Sequence, residues 1–318
     1  MAGPRPPVSV RVAPAPPPTR AWSATSVEQF ITCPLRYWWQ RVERWETPST
    51  PPLVIGRAVH GALERLLALP ASERVPAAGD VYLAESLVES IAEVEGQGLD
   101  AETITEGSVK AMAAYWQTED PTSVDVAPDG LERKVETDLE GLPFIGHVDR
   151  IATSDVGLRV TDYKTGAPKP KYWWGYWRQQ LLYAEALRRL GEPVAEVELL
   201  YLKDPRAVTR PVYPAASTRA INELGQAHEQ RATMAEQGEW EARPQPLCNY
   251  CDFKTACPAQ RRDAPPPGTD RSNEILQRLG LTQRPIDLPD PGRPQRKAAP
   301  EAGDDPASTL FDMAEDPP

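Results

Sequence analysis

Residues 146–166 read GHVDRIATSDVGLRVTDYKTG, and polar and apolar side chains alternate on both sides of a Ser-Asp-Val-Gly turn. Alternation with a period of two is typical of strands that are buried on one face, and the turn residues predict a hairpin. A turn centred in the middle of these four residues places Asp149 directly opposite Asp162. The Cβ atoms of such cross-strand partners lie about 4.5–5.5 Å apart. The stretch therefore predicts a hairpin that carries two facing carboxylates.

The facing carboxylates indicate a bound cation. Two negative charges at this spacing repel each other, so a hairpin that specifies the pair suggests a divalent ion between them. Lys164 follows Asp162 by two residues, which places both side chains on the same face of the strand. A metal ion beside a lysine can activate water and stabilise developing charge, which phosphodiester hydrolysis requires. The structural alternative is an ordinary surface hairpin whose charges are solvated.

The rest of the chain predicts helices around this hairpin. Its own strands are residues 143–153 and 158–163, and residues 131–139 and 194–203 predict two more strands. Apolar residues at helical spacing, with capping hydroxyls before Cys33 and elsewhere, predict helices in the following segments: 23–32, 53–69, 81–95, 102–117, 177–190, 217–238 and 271–281. The fold class is therefore α/β, with a mixed central sheet flanked by helices and a helical N-terminal part.

Composition separates a folded middle from two tails. Half of the 36 prolines lie in residues 1–20 and 259–318, so we expect residues 1–21 and most of 259–318 to be disordered and 22–258 to form one domain. The net charge of −11 argues against a generally basic nucleic-acid coat and leaves a local groove or a metal site as the place for such contacts. Neither a long apolar run nor a signal peptide is visible, which predicts a cytoplasmic protein without membrane contact.

Four cysteines are candidate ligands of a metal or cluster. Cys248, Cys251 and Cys257 form a C-x2-C-x5-C pattern, and Cys33 lies far upstream of them. In a reducing compartment, four thiols hold a metal or a cluster more often than they form disulfides. The pattern by itself is compatible with a structural zinc site on four thiolates as well as with an iron-sulfur cluster.

Asp149 followed by Asp162-Tyr163-Lys164 resembles the split D…(D/E)-x-K active site of the PD-(D/E)XK nuclease superfamily, in particular its RecB-like branch. Val148 stands where the superfamily has the proline of its name. Further matches are the segment 56–60, which resembles a Gly-x-x-x-His motif, the pair Gln179 and Tyr183, which resembles a Gln-x-x-x-Tyr motif, and the four cysteines, which resemble the iron-sulfur subgroup of AddB-type and CRISPR-associated nucleases. The resemblance spans residues 33–257 and implies a restriction-endonuclease-like sheet with an iron-sulfur staple.

The resemblance also implies roles for particular residues. The implied catalytic residues are Asp149, Asp162, Lys164, Gln179 and Tyr183. The implied ligands of Mg²⁺ or Mn²⁺ are His60, Asp149, Asp162 and the main-chain carbonyl of Tyr163, and those of a 4Fe-4S cluster are Cys33, Cys248, Cys251 and Cys257. Taken from its surroundings alone, His60 would be a packed mid-helix residue. Glu136 resembles an acidic residue that some members contribute to the site, with Glu132 and Asp138 as nearby alternatives.

A basic aromatic segment precedes the helix that carries Gln179. Surfaces that bind single strands combine aromatic faces for bases with cations for phosphates. The segment KPKYWWGYWR offers both, and the candidate DNA contacts are Lys169, Lys171, Trp173, Trp174, Trp177 and Arg178. The alternative is that the tryptophans are buried core residues.

The function that the resemblance implies is a metal-dependent deoxyribonuclease, acting on single-stranded DNA ends as an exonuclease in repair or recombination. No Gly-x4-Gly-Lys-(Ser/Thr) loop is present, so we expect any unwinding to come from a helicase partner. The alternatives are a non-catalytic iron-sulfur subunit of a helicase-nuclease complex, which the presence of Asp149, Asp162 and Lys164 disfavours, and a CRISPR adaptation nuclease with the same site.

Overall fold

The computed structural model describes residues 6–14, 21–168 and 173–285. The strands in these ranges, numbered along the chain, are β1 (Val8–Arg11), β2 (Trp45–Glu46), β3 (Asp125–Leu139), β4 (Leu142–Ser154), β5 (Gly157–Lys164), β6 (Val194–Tyr201), β7 (Arg206–Pro211), β8 (Glu239–Ala242) and β9 (Thr282–Gln283). The α-helices are α1 (Ala24–Thr32), α2 (Pro34–Tyr37), α3 (Pro51–Ala68), α4 (Pro76–Ala92), α5 (Ala101–Thr118), α6 (Trp173–Arg189), α7 (Pro214–Gln237) and α8 (Asp270–Arg278).

The centre of the fold is a mixed sheet of five strands in the order β3-β4-β5-β6-β7. Its first three strands form an antiparallel meander that contains the predicted hairpin, and β6 then pairs with β5 in parallel after the crossover through α6. Antiparallel pairing with β6 makes β7 an edge strand. The sheet and its flanking helices confirm the predicted α/β class, and they are consistent with a restriction-endonuclease-like fold.

The helices pack on the sheet in two groups, each with its own apolar cluster. One cluster joins α1, α2, α6 and α7 to the sheet and contains large buried aromatics such as Trp22 and Trp38. The other joins α3, α4 and α5 to Tyr163 of β5 and Leu200 of β6. Since Tyr163 directly follows Asp162, the second cluster fixes the end of the strand that carries the predicted catalytic residues.

Two elements of the sheet region differ from the sequence predictions. Helix α6 begins at Trp173, four residues before the predicted start, so the aromatic segment is partly helical. Strand β7 was not predicted, because five of its six residues are exposed and it lacks the alternation of a half-buried strand. Its pairing with β6 is made by backbone hydrogen bonds, which do not require an alternating pattern of polar and apolar side chains.

Secondary structure in the described residues extends at both ends beyond residues 22–258. Strand β1 pairs with β8, and β9 pairs with β2, while α8 begins at the predicted position within one residue. These strands contain two to four residues in proline-rich surroundings and were therefore invisible to periodicity. The remaining parts of the predicted disordered tails lie largely outside the described residues. None of the helices in the described ranges has the length and apolarity needed to span a bilayer.

Candidate active site

The hairpin of β4 and β5 has the predicted register. Its ladder runs to the pair Arg150 and Thr161, one step before the two aspartates. Beyond that pair the strands are joined by a side chain, since the backbone N–H of Tyr163 donates a hydrogen bond to Asp149 Oδ2 at 3.1 Å. Asp149 and Asp162 therefore lie at the end of the ladder, where their carboxylates can face a common space.

Helix α3 and strand β3 place two further candidate metal ligands, His60 and Glu132, beside Asp149. His60 of α3 has Nδ1 at 3.2 Å from Asp149 Oδ2 and 3.7 Å from Glu132 Oε1. A ligand atom from each of His60, Glu132 and Asp149 lies within 4.8 Å of the other two. One imidazole and two carboxylates at this spacing match the donors of a divalent-ion site.

Glu132, and not Glu136, is the acidic residue that β3 contributes. The register of β3 shifts between Val126 and Leu131, and the backbone of Glu132 has a φ of 43°, in the left-handed region. Such an irregularity re-aims a side chain and is common beside active sites. Glu136 lies in the regular part of the strand, two-thirds exposed, and pairs with Lys134. Spacing along the sequence could not distinguish these glutamates, because the bulge is a tertiary feature.

We expect Gly130→Ala to displace Glu132 and weaken metal binding. A Cβ at Gly130 would lie 2.4 Å from the carbonyl oxygen of Ile151 and 2.7 Å from that of Ala127, so the bulge cannot keep its shape. The control is Gly225→Ala in the middle of α7, where a Cβ meets nothing within 4 Å and the helix should gain about 1 kcal/mol. Denaturant unfolding and Mn²⁺ titration of both variants would check this, and a Gly130→Ala protein with parental metal affinity would contradict it.

Asp162, Lys164 and Gln179 form a second group beside the first. Lys164 Nζ lies 2.6 Å from Asp162 Oδ2, and Gln179 Nε2 donates to Asp162 Oδ1 at 3.3 Å. Burial raises the pKa of Asp162, since desolvation and the charge of Asp149 outweigh the attraction of Lys164. Burial alone would lower the pKa of Lys164, but the charge of Asp162 outweighs it and raises the pKa, so the lysine is a cation at neutral pH.

His60 is held between carboxylates and a main-chain carbonyl. Its Nε2 lies 2.9 Å from the carbonyl oxygen of Tyr163, while Nδ1 faces Asp149 and Glu132. Burial would lower the pKa of His60, but Asp149 and Glu132 outweigh it and raise the pKa to about 10. Without a metal ion, the imidazole is therefore protonated, and a metal that binds its nitrogen must displace a proton.

We expect Mn²⁺ binding at neutral pH to release about one proton, because His60 must lose its proton to act as a ligand. Calorimetric titrations in buffers of different ionisation enthalpy would measure the release, and Mn²⁺ affinity should rise with pH up to about 10. The control is His228→Gln, because burial lowers the pKa of His228 and leaves it neutral. Proton release that persists in His60→Asn would exclude His60 as its source.

Tyr183 lies in the interior and contacts the back of β4. Its ring is 6 % exposed and packs so closely on Gly146 that a Cβ there would lie 2.4 Å from Tyr183 Cε1. The Phe144 ring is 6.3 Å away. Of the predicted Gln-x-x-x-Tyr pair, Gln179 thus contacts a carboxylate of the site, while the ring of Tyr183 packs beneath it.

The basic aromatic segment divides into buried and accessible residues. Arg178 is 4 % exposed and ion-pairs with Glu28 of α1 and Glu223 of α7. Its guanidinium therefore links three helices and is not accessible to DNA. Trp177 is 6 % exposed, whereas Trp173 and Trp174 are half-buried at the surface. The predicted contacts Lys169 and Lys171 lie outside the described residues.

The four cysteines are reduced thiols where the N-terminal helices meet the C-terminal part of the domain. Gln245 Nε2 donates to the carbonyl oxygen of Thr32, next to Cys33, and the rings of Trp39 and Phe253 stack at 4.9 Å. Burial raises the pKa of Cys257 to about 11, and the neighbouring Cys33 and Cys251 add to the effect. No three of the cysteine sulfurs lie within 4.8 Å of one another in the described residues.

Comparison with known proteins identifies the family. No curated protein sequence matches the chain. Similar solved structures include a "Putative exonuclease" from Eubacterium rectale, with 14% identity, a TM-score of 0.49 and coverage of 76% of this chain and 87% of that one. Another is SSO0001, with 13% identity, a TM-score of 0.32 and coverage of 74% and 94%. The sequence model of the PD-(D/E)XK nuclease superfamily matches residues 21–258, which are three-quarters of the chain and contain all the site residues described above, and the chain therefore belongs to that superfamily.

Proposed function

We propose that the chain is a divalent-metal-dependent deoxyribonuclease of the RecB-like branch that degrades single-stranded DNA from its ends in repair or recombination. The observation that carries the proposal is the placement of His60, Glu132 and Asp149 within ligand distance of one another, beside the Asp162–Lys164 pair. Structural ion pairs alone do not require an imidazole and three buried or half-buried carboxylates at one end of a ladder. A divalent ion that hydrolyses phosphodiesters is held by donors of this kind.

The residues of this site have separable roles in the proposal. His60, Glu132 and Asp149 supply ligands of Mg²⁺ or Mn²⁺, and Asp162 beside them supplies a further one. The carbonyl oxygen of Tyr163 contacts the other ring nitrogen of His60, Nε2, and would have to leave it to join these ligands. A divalent ion held there would neutralise phosphate charge and lower the pKa of a bound water. Lys164 orients the attacking water and stabilises the charge that develops on the phosphate, and Gln179 fixes the carboxylate of Asp162.

The test of the function is digestion of DNA labelled at either end, in single-stranded and duplex form, with Mg²⁺ or Mn²⁺. We expect mononucleotides or short products from single strands, slower digestion of duplex, and loss of both in EDTA. Cleavage inside a circular single strand would contradict the proposed exonuclease activity but would still be nuclease activity. If the protein cleaves no DNA with either metal, the proposed deoxyribonuclease activity is wrong.

A 4Fe-4S cluster on Cys33, Cys248, Cys251 and Cys257 is the second part of the proposal. A tetrahedral zinc site with Zn–S bonds of about 2.3 Å brings four sulfurs to about 3.8 Å from one another, whereas a cluster holds them farther apart. Cys33 and Cys251 lie close enough to Cys257 to raise the pKa of its thiol, so three of the four sulfurs share one corner of the domain, as a cluster needs. Thiols with raised pKa values beside one another are stable as thiolates only with a bound cation.

Protein purified without oxygen is expected to be brown, with broad visible absorbance and iron in excess of zinc. Charge transfer from thiolate to iron absorbs visible light, and Zn²⁺ has no counterpart because it is d10. Cys33→Ser should lose the absorbance and free α1 for proteolysis, while Ser23→Ala, at the other end of the same helix, should keep the colour and cost only about 1 kcal/mol. Colourless protein with stoichiometric zinc would contradict the cluster.

A further inference from the structure

An open groove lies beside the candidate active site, between the start of α6 and the turn that joins β6 to β7. Its lining residues are Pro168, Trp173, Asp204, Pro205 and Arg206, and we call it the strand groove. Its volume is about 650 Å³, within the range of about 300–1,000 Å³ that is usual for small-ligand sites. His60, Lys164 and the carboxylates of the candidate active site are not among its lining residues.

The sheet register connects the strand groove to the catalytic lysine. Lys164 at the end of β5 pairs with Tyr201 of β6, and Tyr201 pairs with Arg206 of β7. The three residues therefore form a row across adjacent strands, and two strand spacings amount to about 10 Å. Arg206 thus lies where a phosphate close to the scissile one would reach, if an extended strand ran across this edge of the sheet.

Helix α6 follows the same path from the other side. Trp173 lines the groove, the ring of Tyr176 has Lys164 Nζ at 4.9 Å from its centroid, and Gln179 donates to Asp162. These side chains come from successive turns of one helix. Trp173, Tyr176 and Gln179 thus place two aromatic rings and an amide between the groove and Asp162.

Two arginines of β7 lie at the groove: Arg206 lines it, and Arg210 packs on Trp173, which lines it. Arg206 and Arg210 are exposed, and within the described residues no carboxylate lies in ion-pair distance of either guanidinium. Arg210 packs on tryptophans, at 4.7 Å from the ring centroid of Trp177 and 5.9 Å from that of Trp173. Asp204 balances the charge of Arg206 in the lining, and Arg210 adds one positive charge on the tryptophan surface of a chain whose net charge is −11, which favours an anionic ligand here.

We propose that the strand groove binds the nucleotides next to the scissile phosphodiester of a single DNA strand. Trp173 stacks on a base, and Arg206 and Arg210 contact the phosphates on either side of it. Asp204 faces the base or sugar, because its charge would repel a phosphate. This assignment rests on the nuclease function proposed above and adds to it the site that holds the strand.

The test compares strand binding with hydrolysis of a minimal substrate. The double variant Arg206→Gln/Arg210→Gln is titrated with fluorescent oligothymidylate in Ca²⁺ over a salt series, and its rate on bis(4-nitrophenyl) phosphate is measured with Mn²⁺. Loss of two phosphate contacts should raise the Kd about tenfold or more at low salt and reduce the slope of log K against log salt by about 1.4. Hydrolysis of the small diester should be unchanged, because that substrate does not reach the groove.

Three further variants make the result specific. Arg219→Gln is the matched control, since this arginine also packs on a tryptophan, 3.7 Å from the centroid of Trp174, but is already paired with Glu223. It should bind like the parent. Trp173→Leu should weaken binding of oligothymidylate more than binding of an abasic strand, and Asp204→Asn should tighten binding.

The outcomes separate this inference from the function on which it rests. If the double variant binds with the parent's affinity and salt slope, while the parent hydrolyses the diester and DNA, the strand groove does not bind the DNA strand. The proposed nuclease activity would be unaffected by that result. A parent that hydrolyses neither substrate would overturn the proposed function and the inference with it. Thermal melts of each variant establish that it is folded before its binding is compared.

Discussion

Lys164→Ala is expected to bind Mn²⁺ and single-stranded DNA nearly as the parent does, while its rate of cleavage falls about 10²–10³-fold. Lys164 is a half-buried cation that contacts Asp162, and its proposed interaction with the phosphate forms chiefly in the transition state. Removing such an interaction lowers kcat and kcat/KM together and leaves KM unchanged. Single-turnover cleavage rates and direct measurements of Mn²⁺ and DNA binding on the same proteins would show whether only the cleavage rate falls.

The control for this prediction is Lys110→Ala on α5, whose ammonium is three-quarters exposed and paired with Glu106. It should cleave at the parental rate. Because Lys164 also neutralises Asp162, a folded Lys164→Ala protein must be verified by its thermal melt. Near-parental turnover by that folded variant would refute the D-x-K assignment.

Asp149→Asn is expected to abolish the stabilisation that Mn²⁺ gives the parent. A metal at one hundred times its dissociation constant adds about 2.7 kcal/mol to the free energy of unfolding, and each kcal/mol raises the melting temperature of a domain of this size by about 2–4 °C. Asparagine can still accept the Tyr163 N–H but lacks the charge that holds an ion. Melts in EDTA and in Mn²⁺ on both proteins would measure the loss.

The melts in EDTA also test the contact between Asp149 and His60. The folded-state pKa of His60 is raised to about 10, so its contribution to stability is complete below the unfolded pKa of about 6.5 and is lost as pH rises through the folded value. We therefore expect Asp149→Asn to be less stable than the parent at neutral pH, with the difference shrinking towards pH 10.

Asp155→Asn, in the exposed turn of the same hairpin, is the matched control and should show the parental Mn²⁺ shift. An equal Mn²⁺ shift in Asp149→Asn and the parent would mean that Asp149 is not a ligand. Greater stability of Asp149→Asn in EDTA would mean that repulsion between Asp149 and Asp162 outweighs the attraction of His60 and Lys164.

Local sequence patterns were sufficient to predict the hairpin, its register and the fold class. Alternation with a period of two and a turn of four residues are local signals, and a register fixed by the turn brings Asp149 and Asp162 to the same end of the ladder. Lys164 followed from the same alternation. Long amphipathic helices such as α3 and α5 were predicted nearly to their ends, because their apolar spacing extends over four or five turns.

The neighbours of these residues, by contrast, depend on how distant segments of the chain pack together. The bulge that turns Glu132 towards His60 depends on the close approach of Gly130 in β3 to the carbonyl oxygen of Ile151 in β4, and no local pattern encodes it. The ion pairs that bury Arg178 join three helices that are far apart in the chain. Strand β7, with Arg206 and Arg210, is held by backbone pairing to β6 and not by an apolar face. Local periodicity reports which face of an element is buried, whereas bulges, long-range ion pairs and edge strands are set by contacts that form only when the whole chain has folded.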